Sequence, residues 1–414
     1  MLWIYNIGIA FYGALLKIVS IFNSKAKLFV AGRKNIFEHI AQAIDPSQRP
    51  IWFHFASLGE FEQGRPVLEQ YRSIHADTRI VVTFFSPSGY EIRKNYALAN
   101  VFYLPLDTAA NAKRFIELVN PAFAVFTKYE FWYHYFKVLH QKQIPLYLIS
   151  GIFRPNQLFF KWHGGFYREI LGYVSHFFVQ NEQSEQLLHK IGFDNVTVSG
   201  DTRFDRVFEN AQNPKQWPEI AAFCGESPVF IAGSTWPADE KLIANLVVAY
   251  PDWKLIIAPH EIGADHVEEI EQLFPTAIKF SSLSGQLSAY GEPLGIPVTA
   301  DAGPQTLIID NIGMLSSLYP YAKLAYIGGG FGAGIHNTLE AAAFGLSVIF
   351  GPNYKKFQEA KDLIAIGAAK SIVNAQELTH AFEQFKDNRQ AAETAKAYVS
   401  KKKGATPMIL SKIA

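Results

Sequence analysis

From Ile51 onward, short runs of apolar residues alternate with longer stretches in which apolar residues recur every three or four positions. The short runs are typical of strands buried on both faces, and the longer stretches are typical of amphipathic helices. This alternation predicts βαβ units and parallel sheets. We predict strands at residues 51–55, 79–84, 101–104, 123–126, 146–149, 177–179, 229–232, 253–258, 307–309, 324–327 and 347–350.

The alternation stops between Asp205 and Pro228 and then starts again. The interruption contains Asn213-Pro-Lys-Gln-Trp-Pro218, whose prolines are typical of a linker. A chain of 414 residues is long enough for two domains, each with its own core. We therefore predict an α/β protein with two doubly wound, Rossmann-like domains that face each other across a cleft. The predicted segments are an amino-terminal anchor (1–22), a first domain (23–211), a second domain (212–390) and a terminal helix that returns to the first domain (391–414).

The amino-terminal segment, residues 1–22, is mostly apolar and is interrupted by Asn6 and Lys17. It has no basic n-region and no Ala-x-Ala cleavage site, which argues against a removed signal peptide. Three interpretations fit it: a membrane span, a helix that lies in the membrane interface, and an ordinary buried helix. Lysines or arginines follow at positions 25, 27, 33 and 34, and this bias predicts that the rest of the chain lies on the cytoplasmic face of the inner membrane.

Charge is unevenly distributed along the chain. Residues 1–211 contain 22 lysines and arginines against 17 aspartates and glutamates, whereas the remainder contains 16 against 20. A mildly basic first half suits an anionic membrane surface or acceptor, and nucleic acid would need denser basic clusters. The single cysteine, Cys224, excludes an internal disulfide. The sequence has no Cys/His metal spacing and no Asp-x-Asp, so we expect no metal.

A glycine-rich stretch, Gly328-Gly-Gly-Phe-Gly-Ala-Gly334, follows one of the predicted strands. Glycines allow the backbone to approach a ligand closely. We predict that a helix begins near His336 or Asn337, and its unpaired N–H groups would favour an anion. Asn337 and Glu340 also fit a capping box, which would be purely structural. The abundance of glycine favours a phosphate or sugar-nucleotide site.

Three strand-to-helix loops share the quartet Ser/Thr-x-x-Glu, which is also the pattern of a capping box. They are Ser57–Glu60, Ser88–Glu91 and Thr127–Glu130. Capping alone explains all three. In the first, however, Gly59 lets another molecule approach the carboxylate, so Glu60 is a candidate general base beyond the carboxyl end of a strand.

In the second half, Gly233-Ser-Thr235 leads to Pro237 in the first turn of a predicted helix, which makes a second candidate anion site. Pro259 and His260 follow the next predicted strand. A single histidine is more often a structural hydrogen-bonding residue than a ligand-binding one, and both roles remain open for His260.

The segment 153–168 interleaves aromatic and basic side chains. These are Phe159, Phe160, Trp162, Arg154, Lys161 and Arg168. Such a combination suits the acyl chains and phosphates of a bisphosphorylated lipid. A half-buried helix that covers the sheet fits the same pattern.

In their order and spacing these motifs resemble the 3-deoxy-D-manno-octulosonic acid (Kdo) transferases of lipid A biosynthesis, which are GT-B glycosyltransferases. The resemblance spans almost the whole chain. The motifs of the first half are Trp52–Glu60, Thr83 with Gly89-Tyr-Glu91, Leu104-Pro-Leu-Asp107, Glu130-Phe-Trp132 and Gly200-Asp-Thr-Arg203-Phe-Asp205. Those of the second half are Ala232-Gly-Ser-Thr235 with Glu240, Pro259-His260, Gly328-Gly-Gly330, His336-Asn-Thr-Leu-Glu340 and Gly351-Pro352 with Phe357.

The resemblance implies an inverting, metal-independent transfer of Kdo from CMP-Kdo to a lipid A precursor of the lipid IVA type, with no cofactor. It implies that Glu60 deprotonates the acceptor hydroxyl and that Glu130 is a second catalytic carboxylate. Together with the residue patterns, it assigns acceptor binding to the first domain through Ser57, Gly59, Arg154, Lys161 and Arg168. Donor binding falls to the second domain, through Ser234, Thr235, Pro259, His260, Ile312, Gly313, Met314, Gly329, Gly330, His336, Asn337, Thr338, Leu339 and Glu340.

Two other functions remain compatible with the sequence. The first is a GT-B transferase that uses a UDP-sugar and a lipid acceptor. The second is a membrane-tethered nucleotide-binding module without catalysis. The sequence does not distinguish a spanning from an interfacial first helix, nor does it give the number of Kdo units transferred.

Overall fold

The computed structural model describes residues 1–128, 130–287 and 304–413. The chain divides into two compact units. Unit 1 contains Met1–Asp205 together with Lys402–Ala414, and unit 2 contains Arg206–Lys401. Residues 206–211 and 391–401 thus belong to unit 2, whereas the sequence analysis grouped them with the first domain and with the terminal helix.

Unit 1 is built around a parallel sheet. Its strands are β1 (Ile51–Phe55), β2 (Ile80–Phe84), β3 (Asn100–Tyr103), β4 (Ala124–Thr127), β5 (Leu146–Gly151), β6 (His176–Val179) and β7 (Val196–Val198). Its helices are α1 (Leu2–Val19), α2 (Ser24–Ala31), α3 (Ile36–Ala43), α4 (Leu58–Ile74), α5 (Pro87–Arg93), α6 (Ala109–Val119), α7 (Tyr133–Gln141), α8 (Gly165–Leu171) and α9 (Glu182–His189). Helix α10 (Arg203–Gln212) crosses the division between the units.

Within the described residues, the strand order in unit 1 is β3-β2-β1-β4-β5-β6-β7. Strands β1, β2 and β4 are buried along their whole length, which explains their continuous apolar sequences. The order reverses between β1 and β4. Ligands of such sheets bind beyond the carboxyl ends of the strands at this reversal, so the loops after β1 and β4 form the candidate site of unit 1.

Unit 2 repeats this architecture. Its strands are β8 (Val229–Thr235), β9 (Lys254–Pro259), β10 (Ile278–Lys279), β11 (Thr306–Ile308), β12 (Leu324–Ile327), β13 (Ser347–Phe350) and β14 (Ala369–Ser371). Its helices are α11 (Pro218–Cys224), α12 (Pro237–Ala249), α13 (Ala264–Leu273), α14 (Phe280–Leu287), α15 (Leu339–Ala343), α16 (Gln358–Ala365), α17 (Ala375–Phe385) and α18 (Arg389–Lys402). In the part of the chain described, the order is β10-β11-β9-β8-β12-β13-β14. It reverses between β8 and β12, and the loops after these two strands form the candidate site of unit 2.

Helix α1 lies against unit 1 through one face. The Tyr5 hydroxyl donates to Asp107 Oδ2 at 2.5 Å, and Asn6 Oδ1 accepts from His134 Nε2 at 2.7 Å. By length and composition alone, this helix is able to cross a membrane, with a mean hydropathy of 1.6. Its opposite face exposes the large apolar side chains of Trp3, Ile4, Ile7, Phe11, Leu15 and Ile18.

The last helix, α19 (Ala405–Ile413), packs in unit 1 against α4. Ile409, Leu410 and Ile413 are buried in the same apolar cluster as the residues of β1 and β2 that face this side of the sheet. Asp205 accepts hydrogen bonds from the backbone N–H groups of Gly404 and Thr406, which ties the start of this segment to the beginning of α10.

The predicted strands are all present, with bounds that differ by at most three residues. Three short strands were not predicted: β7, β10 and β14. Each lies at an edge of its sheet and contains only two or three residues. An edge strand is partly solvated, so its sequence lacks the long apolar run of a central strand.

Candidate active site

The loops after β1 and β4 carry two glutamates of unit 1, Glu60 and Glu130. The two strands are neighbours in the sheet, with His54 paired with Phe126. Glu60 lies in the first turn of α4, and Glu130 lies between β4 and α7. The negative charge of Glu130 acts on Glu60 and contributes to its pKa. The structure therefore brings together the two carboxylates that the sequence analysis singled out for catalysis.

Glu60 is held through one carboxylate oxygen. Its Oε2 accepts a hydrogen bond from the backbone N–H of Ala56 at 2.6 Å. Burial, followed by the charge of Glu130, raises the pKa of Glu60 to about 7, while the Ala56 N–H and Lys128 oppose the rise. Oε1 has no hydrogen-bond partner among the described residues. A carboxylate that titrates near neutral pH and has a free oxygen is suited to remove a proton from a hydroxyl group.

Glu130 is also held through one oxygen. Its Oε2 accepts from Trp132 Nε1 at 2.9 Å and lies 3.3 Å from His54 Nε2. The Glu130 side chain is 14% exposed, and His54 is fully buried. Within the described part of the chain, Oε1 of Glu130 is again without a protein partner.

The capping-box interpretation is wrong in detail for all three quartets. Ser57 is the N-cap of α4 but makes no side-chain cap hydrogen bond, and Glu60 binds the N–H of Ala56 instead. The N-cap of α5 is Ser86 rather than Ser88. Thr127 ends β4, and α7 begins only at Tyr133. The third quartet also includes Tyr129, which lies outside the described residues.

The candidate acceptor-binding residues have different environments. Gly59 is exposed, and a Cβ placed on it would meet only Ser57 Oγ, at 3.9 Å. Nη1 of Arg168 donates to the carbonyl groups of Phe159 and Lys161, so Arg168 holds its own loop together. This contact explains the position of Arg168 without a ligand.

The aromatic part of the 153–168 segment divides between core and surface. Phe159 is 7% exposed and packs against Phe131 and Phe153, so its expected contact with acyl chains is not supported. Trp162 is 92% exposed. Arg154 and Lys161 are also exposed, which leaves these two cations and Trp162 as the groups that a lipid is able to reach.

In unit 2, Asp239 organises the loops after β8 and β12. Its Oδ2 accepts from the backbone N–H groups of Trp236 and Gly329, both at 3.0 Å. Its Oδ1 accepts from the Tyr326 hydroxyl at 2.7 Å. The Gly329 N–H, which we expected to face a donor phosphate, is therefore occupied. Sequence reasoning missed Asp239 because its partners on β12 and in the following loop are remote in the chain.

The glycine-rich loop is required by close backbone packing. A Cβ on Gly328 would lie 2.3 Å from the carbonyl oxygen of Ser234, and a Cβ on Gly330 would lie 2.6 Å from Gly351. Ser234 itself has a φ of +54°. These contacts explain the glycines without a ligand, so glycine content alone does not identify a phosphate site here.

The helix after this loop begins later than predicted. It runs from Leu339 to Ala343 and contains five residues. Asn337 Oδ1 accepts from the N–H of Leu339, and Asn337 Nδ2 donates to Glu340 Oε1, each at 3.0 Å. The alternative interpretation, a capping box, is therefore not formed, and the two side chains bind each other instead. So short a helix has a weak dipole, and an anion here would depend on individual donors. One candidate donor is the buried Thr338 hydroxyl, which has no partner in the described structure.

Three aromatic rings stack beside this loop. The ring centroids of Trp236 and His260 are 5.0 Å apart, and those of His260 and His336 are 4.2 Å apart. Trp236 Nε1 donates to His336 Nε2 at 3.3 Å. Burial, followed by the proximity of His260, lowers the pKa of His336 to about 4. His336 is therefore neutral at physiological pH, and the stack offers a flat aromatic surface of the kind on which a planar group packs.

Thr235 and Pro259 position this stack. Thr235 ends β8 and donates through its hydroxyl to Glu240 Oε1 at 2.8 Å. Pro259 ends β9 and pairs with Thr235 in the sheet, which places His260 next to Trp236. Glu240 is buried, and burial raises the pKa of its carboxyl group.

The turn Ile312–Met314 lines a separate open cavity of unit 2, of about 500 Å³. Ile312 is 85% exposed, and Gly313 has a φ of +89°, which favours glycine. The other candidate donor-binding residues do not line this cavity. Its remaining walls are Arg206, Asn210, Asn213, Pro214, Lys215, Trp217, Asn311, Ser316 and Ser317.

Residues 32–206 match the family model described as 3-deoxy-D-manno-octulosonic-acid transferase (kdotransferase). Among curated proteins, the 3-deoxy-D-manno-octulosonic acid transferase of Rickettsia bellii is 27% identical over 352 residues, which cover 83% of this chain and 81% of the relative. The enzyme of the same name from Chlamydophila psittaci is 28% identical over 336 residues, which cover 78% and 74%.

Among solved structures, the UDP-GlcNAc 2-epimerase from Neisseria meningitidis, bound to UDP-GlcNAc, matches with a TM-score of 0.58. The match covers 88% of this chain and 99% of that one at 14% identity, so it bears on the fold alone. It agrees with a GT-B fold class built from two Rossmann-like units. The family model over residues 32–206 and the curated relatives show that the chain is similar to 3-deoxy-D-manno-octulosonic-acid transferases.

Proposed function

We propose that the protein transfers Kdo from CMP-Kdo to a hydroxyl group of a lipid A precursor of the lipid IVA type, with inversion at the anomeric carbon and without a metal ion. Similarity to Kdo transferases supports the sugar that is transferred. The observation that carries the rest is Glu60, a carboxylate at the strand-order reversal whose pKa is raised to about 7 and whose Oε1 has no partner among the described residues.

In this proposal Glu60 is the general base. It takes the proton of the acceptor hydroxyl as that oxygen attacks the anomeric carbon of Kdo from the face opposite the phosphate. The bond between the anomeric carbon and the phosphate oxygen breaks, and CMP leaves with the bonding electrons. The products are the Kdo-bearing lipid and CMP, and the proton on Glu60 passes to solvent.

Glu130 is assigned a different task. Two N–H groups hold its Oε2, and its Oε1 has no partner within the described residues, so the carboxylate has a fixed position. A fixed negative charge stabilises the positive charge that develops on the sugar ring as the bond to CMP breaks. The same charge raises the pKa of Glu60 and so makes it a stronger base.

The donor is assigned to unit 2. The Trp236, His260 and His336 stack is suited to a planar base, and the unpartnered Thr338 hydroxyl is a donor for an anion. The cavity at Ile312–Met314 offers about 500 Å³ to another part of CMP-Kdo.

We assign to unit 1 the contacts with the lipid acceptor and with the cytoplasmic leaflet of the inner membrane. The exposed face of α1 suits a single leaflet, and Arg154, Lys161 and Trp162 suit phosphate and acyl groups. Because Arg168 is bound to backbone carbonyls, Lys161→Ala is the cleaner test of lipid binding. It should raise the KM for the lipid and leave the KM for CMP-Kdo unchanged.

Two measurements test the proposal against its rivals. In thermal melts, CMP-Kdo should raise the melting temperature, and UDP-sugars should not; the reverse result would favour a UDP-sugar transferase. Glu60→Gln should abolish turnover and retain CMP-Kdo binding. A wild-type protein that binds CMP-Kdo but turns over no acceptor would favour the nucleotide-binding module.

A further inference from the structure

A buried chain of hydrogen bonds leads from the sheet of unit 1 to Glu130. Trp52 Nε1 donates to Thr83 Oγ1 at 2.8 Å, and Thr83 Oγ1 lies 2.8 Å from His54 Nδ1. His54 Nε2 in turn lies 3.3 Å from Glu130 Oε2. Trp52, His54 and Thr83 are all fully buried. The sheet itself creates the chain, because Trp52 and His54 lie on one face of β1 and Thr83 is the β2 partner of His54.

The donors and acceptors around His54 determine which of its two ring nitrogens carries the proton. An indole nitrogen only donates, so Trp52 uses one lone pair of the Thr83 oxygen. The single hydroxyl proton of Thr83 then finds its acceptor in the unprotonated Nδ1 of His54. The imidazole proton is therefore on Nε2, which donates to Glu130. The opposite tautomer would leave the Thr83 proton without an acceptor and would point a bare nitrogen at a carboxylate.

In this arrangement two donors, His54 Nε2 and Trp132 Nε1, bind the same oxygen of Glu130. Trp132 belongs to the loop that carries Glu130, whereas His54 belongs to the rigid central strand β1. The His54 contact therefore fixes the carboxylate relative to β1, the strand that leads into the helix carrying Glu60.

We propose that His54 and Thr83 are positioning residues for Glu130: Thr83 sets the tautomer of His54, and His54 directs the free oxygen of Glu130 toward the reacting sugar. The role in catalysis rests on the proposed function. A purely structural role would make the same residues matter for folding and leave turnover by the folded protein unchanged.

Thr83→Val tests the first step, since valine has the shape of threonine and lacks the hydroxyl group. We expect kcat, corrected for the folded fraction, to fall by about tenfold or more, because small errors in the placement of a catalytic group are costly. The KM for CMP-Kdo should change less than about twofold, and Thr83→Ser should restore kcat. The matched control is Thr127→Val at the end of β4, whose buried hydroxyl has no partner among the described residues. Equal kcat in the Thr83→Val and Thr127→Val proteins would overturn the proposal.

His54 itself offers a matched pair of substitutions. The glutamine amide reaches about as far as Nε2, so His54→Gln keeps a donor for Glu130 and loses the contact with Thr83. The asparagine amide reaches only as far as Nδ1, so His54→Asn keeps the contact with Thr83 and loses the contact with Glu130. We expect His54→Gln to retain clearly more turnover than His54→Asn. The opposite order would overturn the proposal.

A spectroscopic measurement separates this inference from the proposed reaction. Nitrogen-15 NMR of the histidine rings reads the tautomer directly, and the signals lost in His54→Gln identify His54. We expect a protonated Nε2 and an unprotonated Nδ1 in the wild type, and a mixture of tautomers in Thr83→Val. Protonated Nδ1 in the wild type would refute the tautomer assignment, even for a protein that transfers no Kdo. Failure of the reaction alone, with the expected NMR result, would refute the proposed function and the catalytic role of His54.

Discussion

The Tyr5 hydroxyl and the Asp107 carboxylate form a 2.5 Å hydrogen bond that joins helix α1 to the body of unit 1. Asp107 also accepts from the backbone N–H groups of His134 and Tyr135, at the start of α7. The first helix is thus tied to the helix that follows Glu130. The Leu104–Asp107 motif therefore has a structural explanation: its aspartate connects α1 to α7.

We expect α1 to lie in the membrane interface rather than to span the bilayer, because its polar side chains Tyr5 and Asn6 bind residues of unit 1. We expect the double substitution Ile7→Glu and Phe11→Glu to abolish binding to anionic phospholipid vesicles, since both side chains lie on the exposed apolar face. Vesicle flotation measures this. Tyr5→Phe is the control, which should lower the melting temperature and leave flotation unchanged. Full flotation of the double variant would contradict the assigned face.

The raised pKa of Glu60 predicts how activity depends on pH. A base must be ionised to act, so kcat/KM should rise with pH up to about 7 and then level off. Lys128 lowers the pKa of Glu60, so Lys128→Gln should move the rising limb to higher pH. Lys94→Gln is the control, because Lys94 pairs with Glu91 on an exposed helix and should leave the limb in place. A rising limb of kcat/KM centred near the ordinary pKa of a glutamate would contradict the assignment of Glu60 as the base.

The same carboxylate should reduce the stability of the protein. The pKa of Glu60 is higher in the folded state than its ordinary value, so the folded protein holds this proton more tightly than the unfolded chain. Stability is therefore lost as the pH rises from the ordinary pKa of a glutamate to about 7. Glu60→Gln keeps an acceptor for the Ala56 N–H and removes the charge, so it should melt at a higher temperature than the wild type at about pH 8.

That difference should shrink at about pH 5, where Glu60 is protonated in the folded wild type. A gain of about 1 kcal/mol would raise the melting temperature by about 2–4 °C in a unit of this size. Calorimetry at the two pH values measures both changes. A lower melting temperature of Glu60→Gln at about pH 8 would mean that the burial of Glu60 carries no penalty.

Substitutions of the glycines in unit 2 test whether close backbone packing, rather than ligand binding, explains these residues. Gly328→Ala would place a Cβ 2.3 Å from the Ser234 carbonyl oxygen, and this overlap should cost about 1–3 kcal/mol of unfolding free energy. Gly332→Ala in the same loop would meet its nearest atom at 3.7 Å, so it should be nearly neutral. Denaturant unfolding measures both. Equal stability of the two variants would contradict the packing role of Gly328.

Much of this fold was predictable because central parallel strands are continuous apolar runs. Strands β1, β12 and β13 have the predicted bounds. Glu60 was a candidate from the sequence because a carboxylate just beyond such a strand lies at the edge of the sheet where ligands bind. The hydrogen bond between His54 and Thr83 was not predictable from the sequence, since it depends on the register of β1 against β2. The packing of Gly328 and Gly330 was not predictable for a similar reason, because the backbone that crowds them comes from remote parts of the chain.

The most direct test of the central claim is a product assay with CMP-Kdo and a tetraacylated lipid A precursor, with EDTA present, read by mass spectrometry. We expect the wild type to add one or more Kdo units to the lipid and Glu60→Gln to lose at least about a hundredfold in rate. Glu62→Gln, two residues further along α4 in a surface ion pair with Arg93, should keep its activity. Full activity of Glu60→Gln, or no Kdo transfer by a wild-type protein that binds CMP-Kdo, would contradict the account.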